Sequence, residues 1–384
     1  MWSFCTLAWL ALEASTPPLP AAPISADDVP RAAGQQEILY VNFDGAVLLG
    51  GCGNEAHYNC STLASIFDGY VGPFSGNDTQ RISILQATRK AVADFGIRVV
   101  VDRPPDDTPY TMVLYGDLGP QDFAGIAPYI DCEDVHRNDT SFTAAFDTSN
   151  TGSTVILQEA AHTWGLEHVD AEFDVMNPFK SGGLHQSFTD VCERIVANTD
   201  LQPTAGSCNQ VHTRFCDAGF QNSWQELRWL FGPPIPDTTA PELEIVSPLP
   251  GEVFVLPTTI PLLGEITDDL DPQFYHIEIP AAGYEGDNIE LDLLLENPPP
   301  GKYDLEVVIT DEAGNAGSQR VKFEILPEGS ELPEGDDAVL QDDPTQGCSV
   351  ATTHPRGPAA AMLLCLAALR RRARRRTAGP RSTP

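Results

Sequence analysis

The segment Thr154-Val-Ile-Leu-Gln158-Glu159-Ala-Ala-His162-Thr-Trp-Gly165-Leu-Glu-His168 constrains this 384-residue chain more than any other. On a helix, positions i and i+4 share a face, so Gln158 and His162 point at one spot. Glu159, one residue along, projects beside that spot. Gly165 permits a sharp turn off the helix, because glycine tolerates positive φ. His168 then swings back toward the same point. A mononuclear zinc site for hydrolysis needs three protein ligands, an open position for water, and a base to take the water's proton. The spacing supplies a base in Glu159 and imidazoles in His162 and His168. Gln158 offers only a neutral amide oxygen, a much poorer zinc ligand than imidazole.

These residues resemble the metzincin pattern H-E-x-x-H-x-x-G-x-x-H at every fixed position except the first. Beyond His168, Met176 stands in Phe173-Asp-Val-Met-Asn-Pro178, similar to the methionine turn that metzincins place beneath the metal. Its flanking Asn and Pro suit a tight turn. The resemblance implies an α+β metzincin-like peptidase domain over residues 37–230. It also implies one zinc ion, Gly165 as a hinge, and a protein or peptide as substrate or ligand. The implied reaction is hydrolysis of peptide bonds through a metal-activated water. Residue 158 leaves three outcomes open. Gln158 binds zinc weakly, or another donor completes the site, with His136, Asp170, Asp174 and His185 as candidates. In the third outcome the ligand is lost and the domain is a non-catalytic pseudopeptidase, a surface peptide-binding or adhesion protein.

Hydrophobic periodicity organises the rest. Glu37 to Phe43 reads as a strand ended by Asp44-Gly45, and Gln80 to Phe95 as a helix that stops at Gly96. Ile97 to Val101 and Tyr110 to Tyr115 read as short buried strands around a turn at 104–107. The motif helix is expected at 153–167 and another at 222–230. Residues 237–326 alternate in short segments broken by Pro, Gly or Asp. Strands are expected to start at Glu242, Glu252, Ile260, Tyr275, Ile289, Tyr303 and Gln319, which argues an antiparallel sandwich. Gly301 to Asn315 resembles the penultimate strand and turn of bacterial Ig-like domains, implying a spacer or adhesion module. Asp268, Asp269 and Asp271 carry the oxygen donors that calcium takes. A solvated acidic loop is the other reading.

The two ends and the charge set the compartment. Residues 1–26 contain an apolar run, Trp2 to Leu12, of signal-peptide length. Residues 327–347 are acidic and rich in Pro and Gly, the composition of a disordered linker. Residues 348–384 order a cysteine (Cys348), an apolar stretch and the arginine block Arg370 to Arg376. That order resembles the MYXO-CTERM sorting tail. It implies an exported protein at the cell surface or outer membrane, or outside the cell. The tail would be its membrane contact, processed near Cys348 with lipid on that cysteine. Before Cys348 there are 14 basic against 55 acidic residues, a formal charge of −41. A field of that sign repels nucleic acid, so no nucleic-acid partner is expected. Six cysteines remain between the two ends, and 15 pairings of them are open. Local pairs Cys52–Cys60 and Cys208–Cys216 are compatible with the spacing. Nothing in the sequence sets an oligomeric state.

Overall fold

A computed structural model of the chain describes residues 32–179 and 187–332. The expected signal peptide, most of the acidic linker, the tail with Cys348, and His185 lie outside the described residues.

The first region is built on a five-stranded sheet. Its strands are β1 (Glu37–Asn42), β2 (Ile97–Val100), β3 (Thr111–Gly116), β4 (Gly125–Ile126) and β5 (Thr140–Ala144). They lie in the order β2-β1-β3-β5-β4. All neighbours are parallel except β4, which runs antiparallel to β5 at the edge. β1 and β3 are near-continuous apolar runs because both faces of the sheet are covered. Leu39, Val41, Val113 and Tyr115 face one side, and Tyr40, Met112 and Leu114 face the other. Three helices cover the first side: α1 (Asp78–Ala91), α2 (Ser149–His162) and α3 (Ser223–Phe231). A segment with a short 3-10 helix (Ala64–Phe67) and a two-residue strand pair (Ala46–Val47 with Tyr70–Val71), carrying Leu48, Ala64, Phe67 and Val71, covers the second.

The helices are capped by sequence. Asn77 and Gln80 form a reciprocal capping box on α1, and Thr148 caps α2. Every residue of α2 from Gly152 to His162 is buried, so this helix runs through the core rather than over it. Each buried Leu or Ile on it contributes about 2 kcal/mol. The helix ends at His162, five residues before the expected end. Gly165 adopts φ +97° and the Leu166 amide bonds back to the Ala161 carbonyl at 2.9 Å, closing the helix in a left-handed cap.

The second region is an all-β sandwich. One sheet holds β6 (Glu242–Ser247), β8 (Thr259–Thr267) and β11 (Leu291–Glu296). The other orders β7 (Val253–Val255), β13 (Ala316–Leu326), β12 (Gly301–Thr310), β9 (Tyr275–Ile279) and β10 (Tyr284–Asn288). Ile260, Leu262, Leu305, Val307, Ile309 and Phe323 fill the space between the sheets. Eight strands form where seven were expected. The extra one, β10, holds Gly286-Asp-Asn288, a composition that reads as a turn and becomes a strand by pairing with β9.

Three disulfides form: Cys52–Cys60, Cys132–Cys208 and Cys192–Cys216. Of the two local pairs compatible with the spacing, Cys52–Cys60 forms and Cys208–Cys216 does not. A helical turn at Asn209–His212 lies between these two cysteines, and each meets a distant partner instead. Such bridges belong to chains that fold in an oxidising compartment. Among the described residues no helix is long and apolar enough to cross a membrane.

Candidate metal centre

The C-terminal turn of α2 and the loop after it bring His162 and His168 together. Their Nε2 atoms lie 3.1 Å apart and the rings meet edge to face, with centroids 4.7 Å apart. Nδ1 of His162 donates to the Leu166 carbonyl at 2.8 Å. His162 therefore carries its proton on Nδ1 and turns its Nε2 lone pair toward His168 Nε2, which lies at hydrogen-bonding distance. The His168 ring bonds the Ala197 backbone. Burial, reinforced by His168, pushes the His162 pKa down to about 3. Burial pushes His168 to about 4. Both rings are neutral at ordinary pH, which is the form that binds metal.

Gln158 does something the motif alone does not suggest. Its Nε2 donates to two carbonyls, Val175 at 3.1 Å and Asn177 at 2.7 Å. Two acceptors fix the amide orientation, because a flipped amide would set oxygen against oxygen. The residue is 9% exposed and acts as a strut between α2 and the turn around Met176. Oε1 is its only remaining polar atom.

Met176 is fully buried. Its carbonyl accepts from Val169 at 3.1 Å and its amide bonds Asp174 Oδ1 at 2.8 Å. Asp174 Oδ2 accepts from the Thr189 amide and hydroxyl at 2.9 and 2.6 Å, and Oδ1 from Ser223 at 3.2 Å. Asp174 is thus committed beneath the turn and does not serve as a replacement ligand. Burial raises its pKa, and these hydrogen bonds act against that.

Glu159 is buried, with its pKa pushed up to about 8 by desolvation, partly offset by a hydrogen bond from the Ala127 backbone. Its carboxyl packs on Gly125 in β4. A Cβ there would stand 2.6 Å from Glu159 Cγ. Gly125 therefore makes the space the carboxylate occupies, a role with no signal in the sequence.

The other candidates are placed elsewhere. Asp170 is exposed and its amide bonds the Arg194 carbonyl. The His136 amide donates to Asp131 Oδ2 at 2.6 Å, and its ring packs on Tyr129. Among the described residues, no carboxylate, cysteine or third histidine joins His162 and His168 within 4.8 Å. Glu167, Cys208 and His212 do cluster, but the Cys208 sulfur is spent in a disulfide. In the sandwich, Asp268 and Asp269 approach Asp237, whereas Asp271 accepts from Tyr275 and from the Asp268 amide. Arg98 pairs with Asp269 at 3.1 Å.

The donors at His162 and His168 fit a borderline divalent ion such as zinc. Ligand atoms about 2.0–2.1 Å from a tetrahedral ion stand roughly 3.3 Å apart, close to the observed separation. The two rings also stand at N–H···N hydrogen-bonding distance, a contact that a bound cation would replace.

No protein-family model and no curated protein matches the chain. Among solved structures it is similar to fibronectin(III)-like modules of Clostridium thermocellum CbhA, at 16% identity and TM-score 0.21. That match covers 25% of this chain and 51% of the other. Carbohydrate-binding modules of the β-sandwich superfamily match at 19% identity and TM-score 0.20, over 25% of this chain and 37% of theirs. Wild-type OgpA from Akkermansia muciniphila matches at 11% identity and TM-score 0.17, over 82% of this chain and 97% of that one. The chain thus spans about half or less of the first two. Scores this low carry no argument about fold or chemistry.

Proposed function

We propose that this is an exported, surface-anchored, metzincin-like hydrolase that cleaves peptide bonds at a zinc site held by His162 and His168. The supporting observation is the pair of Nε2 atoms at 3.1 Å, with the His162 tautomer fixed by the Leu166 carbonyl. Gln158 Oε1 would be a weak third donor. Zinc bound there supplies a Lewis acid that polarises a carbonyl and acidifies water. Glu159 accepts the proton from the attacking water, and a basicity near neutral suits that task. The Ala127 amide and the space at Gly125 hold its carboxylate in place. β4 is an edge strand, so its outer rim offers backbone groups to an extended peptide. Three disulfides agree with export, and anchoring rests on the resemblance of the tail.

A second reading is favoured by one observation: the Gln158 amide is already committed to the Met176 turn. Under it the domain is a pseudopeptidase whose cleft binds peptide without cutting it.

The full chain, expressed with its disulfides, separates the two. Bound zinc and casein cleavage are measured for wild type, Glu159→Ala and Gln158→His. The hydrolase reading expects wild-type zinc and cleavage, with cleavage alone lost in Glu159→Ala. Stoichiometric zinc that appears only in Gln158→His overturns it in favour of the binding reading.

A further inference from the structure

Glu167 immediately precedes His168 and is 5% exposed. Its carboxylate does not face the two histidines. Oε1 accepts from the Ser207 amide, from the Cys208 amide at 3.0 Å and from His212 Nε2 at 3.4 Å. His212 is fully buried and turns Nδ1 to Glu226 Oε2 at 2.9 Å. Glu226 is 3% exposed and also takes the Asn222 amide at 3.3 Å. The backbone of Glu167 is clamped as well. Its amide donates to Gln221 Oε1 at 2.8 Å, and its carbonyl accepts from Gln221 Nε2 at 3.0 Å.

A buried carboxylate–histidine–carboxylate row is costly to desolvate and stands only when each charge is paired. Here His212 bridges both carboxylates, and the Ser207, Cys208 and Asn222 amides supply the further donors. Burial opposes a charge on His212, but its hydrogen bonds to Glu167 and Glu226 outweigh that and raise its pKa to about 9. The loop that carries the Ser207 and Cys208 amides is itself fastened by the Cys132–Cys208 disulfide. Cys132 follows Asp131, whose amide bonds the His162 carbonyl at 3.1 Å. One connected structure therefore reaches the residue before His168 and the end of the helix that carries His162. Gly206, at φ +77°, leaves room for it, since a Cβ there would lie 2.6 Å from Glu167 Oε1.

We propose that Glu167 is a positioning residue, and that the Glu167–His212–Glu226 row sets where His168 stands and so how tightly the centre holds its metal. His168 leaves the helix through a glycine turn and has no helical hydrogen bond to aim it. Its own carbonyl accepts from the Val196 amide at 2.9 Å, and the grip on Glu167 supplies the hold on the other side. Hydrogen bonds one shell beyond the ligands change metal affinity by about 10–100-fold when removed. The consequence for metal rests on the zinc reading above, but the positioning of His168 does not.

The test uses the full chain with disulfides formed, in wild type, Glu167→Ala, Glu167→Gln and Gly206→Ala. Zinc affinity is read by competition with a chromogenic chelator. The ring nitrogens of His168 are read in the metal-free protein by long-range proton–nitrogen correlation, assigned with His168→Gln. Near-UV circular dichroism reports the fold. Glu167→Ala is expected to weaken zinc binding at least about tenfold and to shift the His168 ring while leaving His162 in place. Glu167→Gln keeps an oxygen for both amides and is expected to recover most of that loss. If Glu167→Ala does not fold, Gly206→Ala displaces the same carboxylate from outside and is expected to move both readouts the same way. A folded Glu167→Ala or Gly206→Ala with wild-type zinc affinity and an unchanged His168 ring overturns the proposal. If wild type itself binds no zinc, the metal reading has failed, and the His168 ring shifts alone decide the positioning claim.

Discussion

Nε2 of His162 stands 3.1 Å from Nε2 of His168, and Nδ1 of His162 donates to the Leu166 carbonyl at 2.8 Å. A divalent cation taken up between the two neutral imidazoles binds the folded chain and not the unfolded one. Zinc is therefore expected to stabilise the folded chain, by about 2.7 kcal/mol at a hundred times its dissociation constant. Thermal unfolding with chelator and with excess zinc checks this. His162→Ala should abolish the shift, and a wild-type melting temperature indifferent to zinc contradicts the site.

Gln158→His should have opposite effects with and without metal. An imidazole cannot donate to both the Val175 and Asn177 carbonyls, so the metal-free variant is expected to lose about 2 kcal/mol, roughly one for each hydrogen bond. With zinc present, a third imidazole should restore the loss or exceed it. Equal stability of the variant and wild type in chelator would argue against the strut.

Gly125→Ala is expected to separate the base from the metal. Its Cβ would stand 2.6 Å from Glu159 Cγ and 2.7 Å from Oε1, so the carboxylate has to move. Misplacing a catalytic group by about 1 Å costs on the order of a hundredfold in rate. Zinc content should not change. Loss of cleavage together with loss of zinc would show that the effect is not confined to Glu159.

Asp174→Ala should loosen the turn under the centre. The buried carboxylate takes the Met176 and Thr189 amides and the hydroxyls of Thr189 and Ser223. Leaving these donors unpaired is expected to cost about 3 kcal/mol. Chemical denaturation measures it, and a loss below about 1 kcal/mol, the worth of a single ordinary hydrogen bond, rejects the network as a stabilising element.

His212 predicts a pH dependence. Its pKa rises from 6.5 to about 9 on folding. The folded state therefore holds the proton more tightly than the unfolded one, and this stabilisation is complete below pH 6.5. It is lost as pH rises through about 9. The stability difference between wild type and His212→Gln should be largest near pH 6 and shrink toward pH 10, measured in chelator. A difference that stays constant over that range means His212 is not charged in the folded protein.

Much of the centre was legible in the chain because its rules are local. An i, i+4 spacing puts two side chains on one helix face, and a glycine at φ +97° lets the chain return toward it. Alternation in residues 242–326 foretold a sandwich for the same reason, since a strand's period of two is a local property. The misses were not local. Helix α2 stops at His162, short of the expected end, because the Gly165 cap outcompetes continuing periodicity. The strand Tyr284–Asn288 looks like a turn until β9 supplies its hydrogen bonds.

The sequence by itself determined which side chains can meet at residues 158–168 and which of them lacks an imidazole. Only the tertiary structure decided what each one does there. It turned the Gln158 amide onto the Met176 turn, spent Asp174 beneath that turn, and paired Cys132 with Cys208. It also set a buried row from Glu167 to Glu226 behind His168. These contacts join residues far apart in the chain, so no spacing encodes them. They are fixed by the requirement that every buried polar group find a partner once the chain has closed.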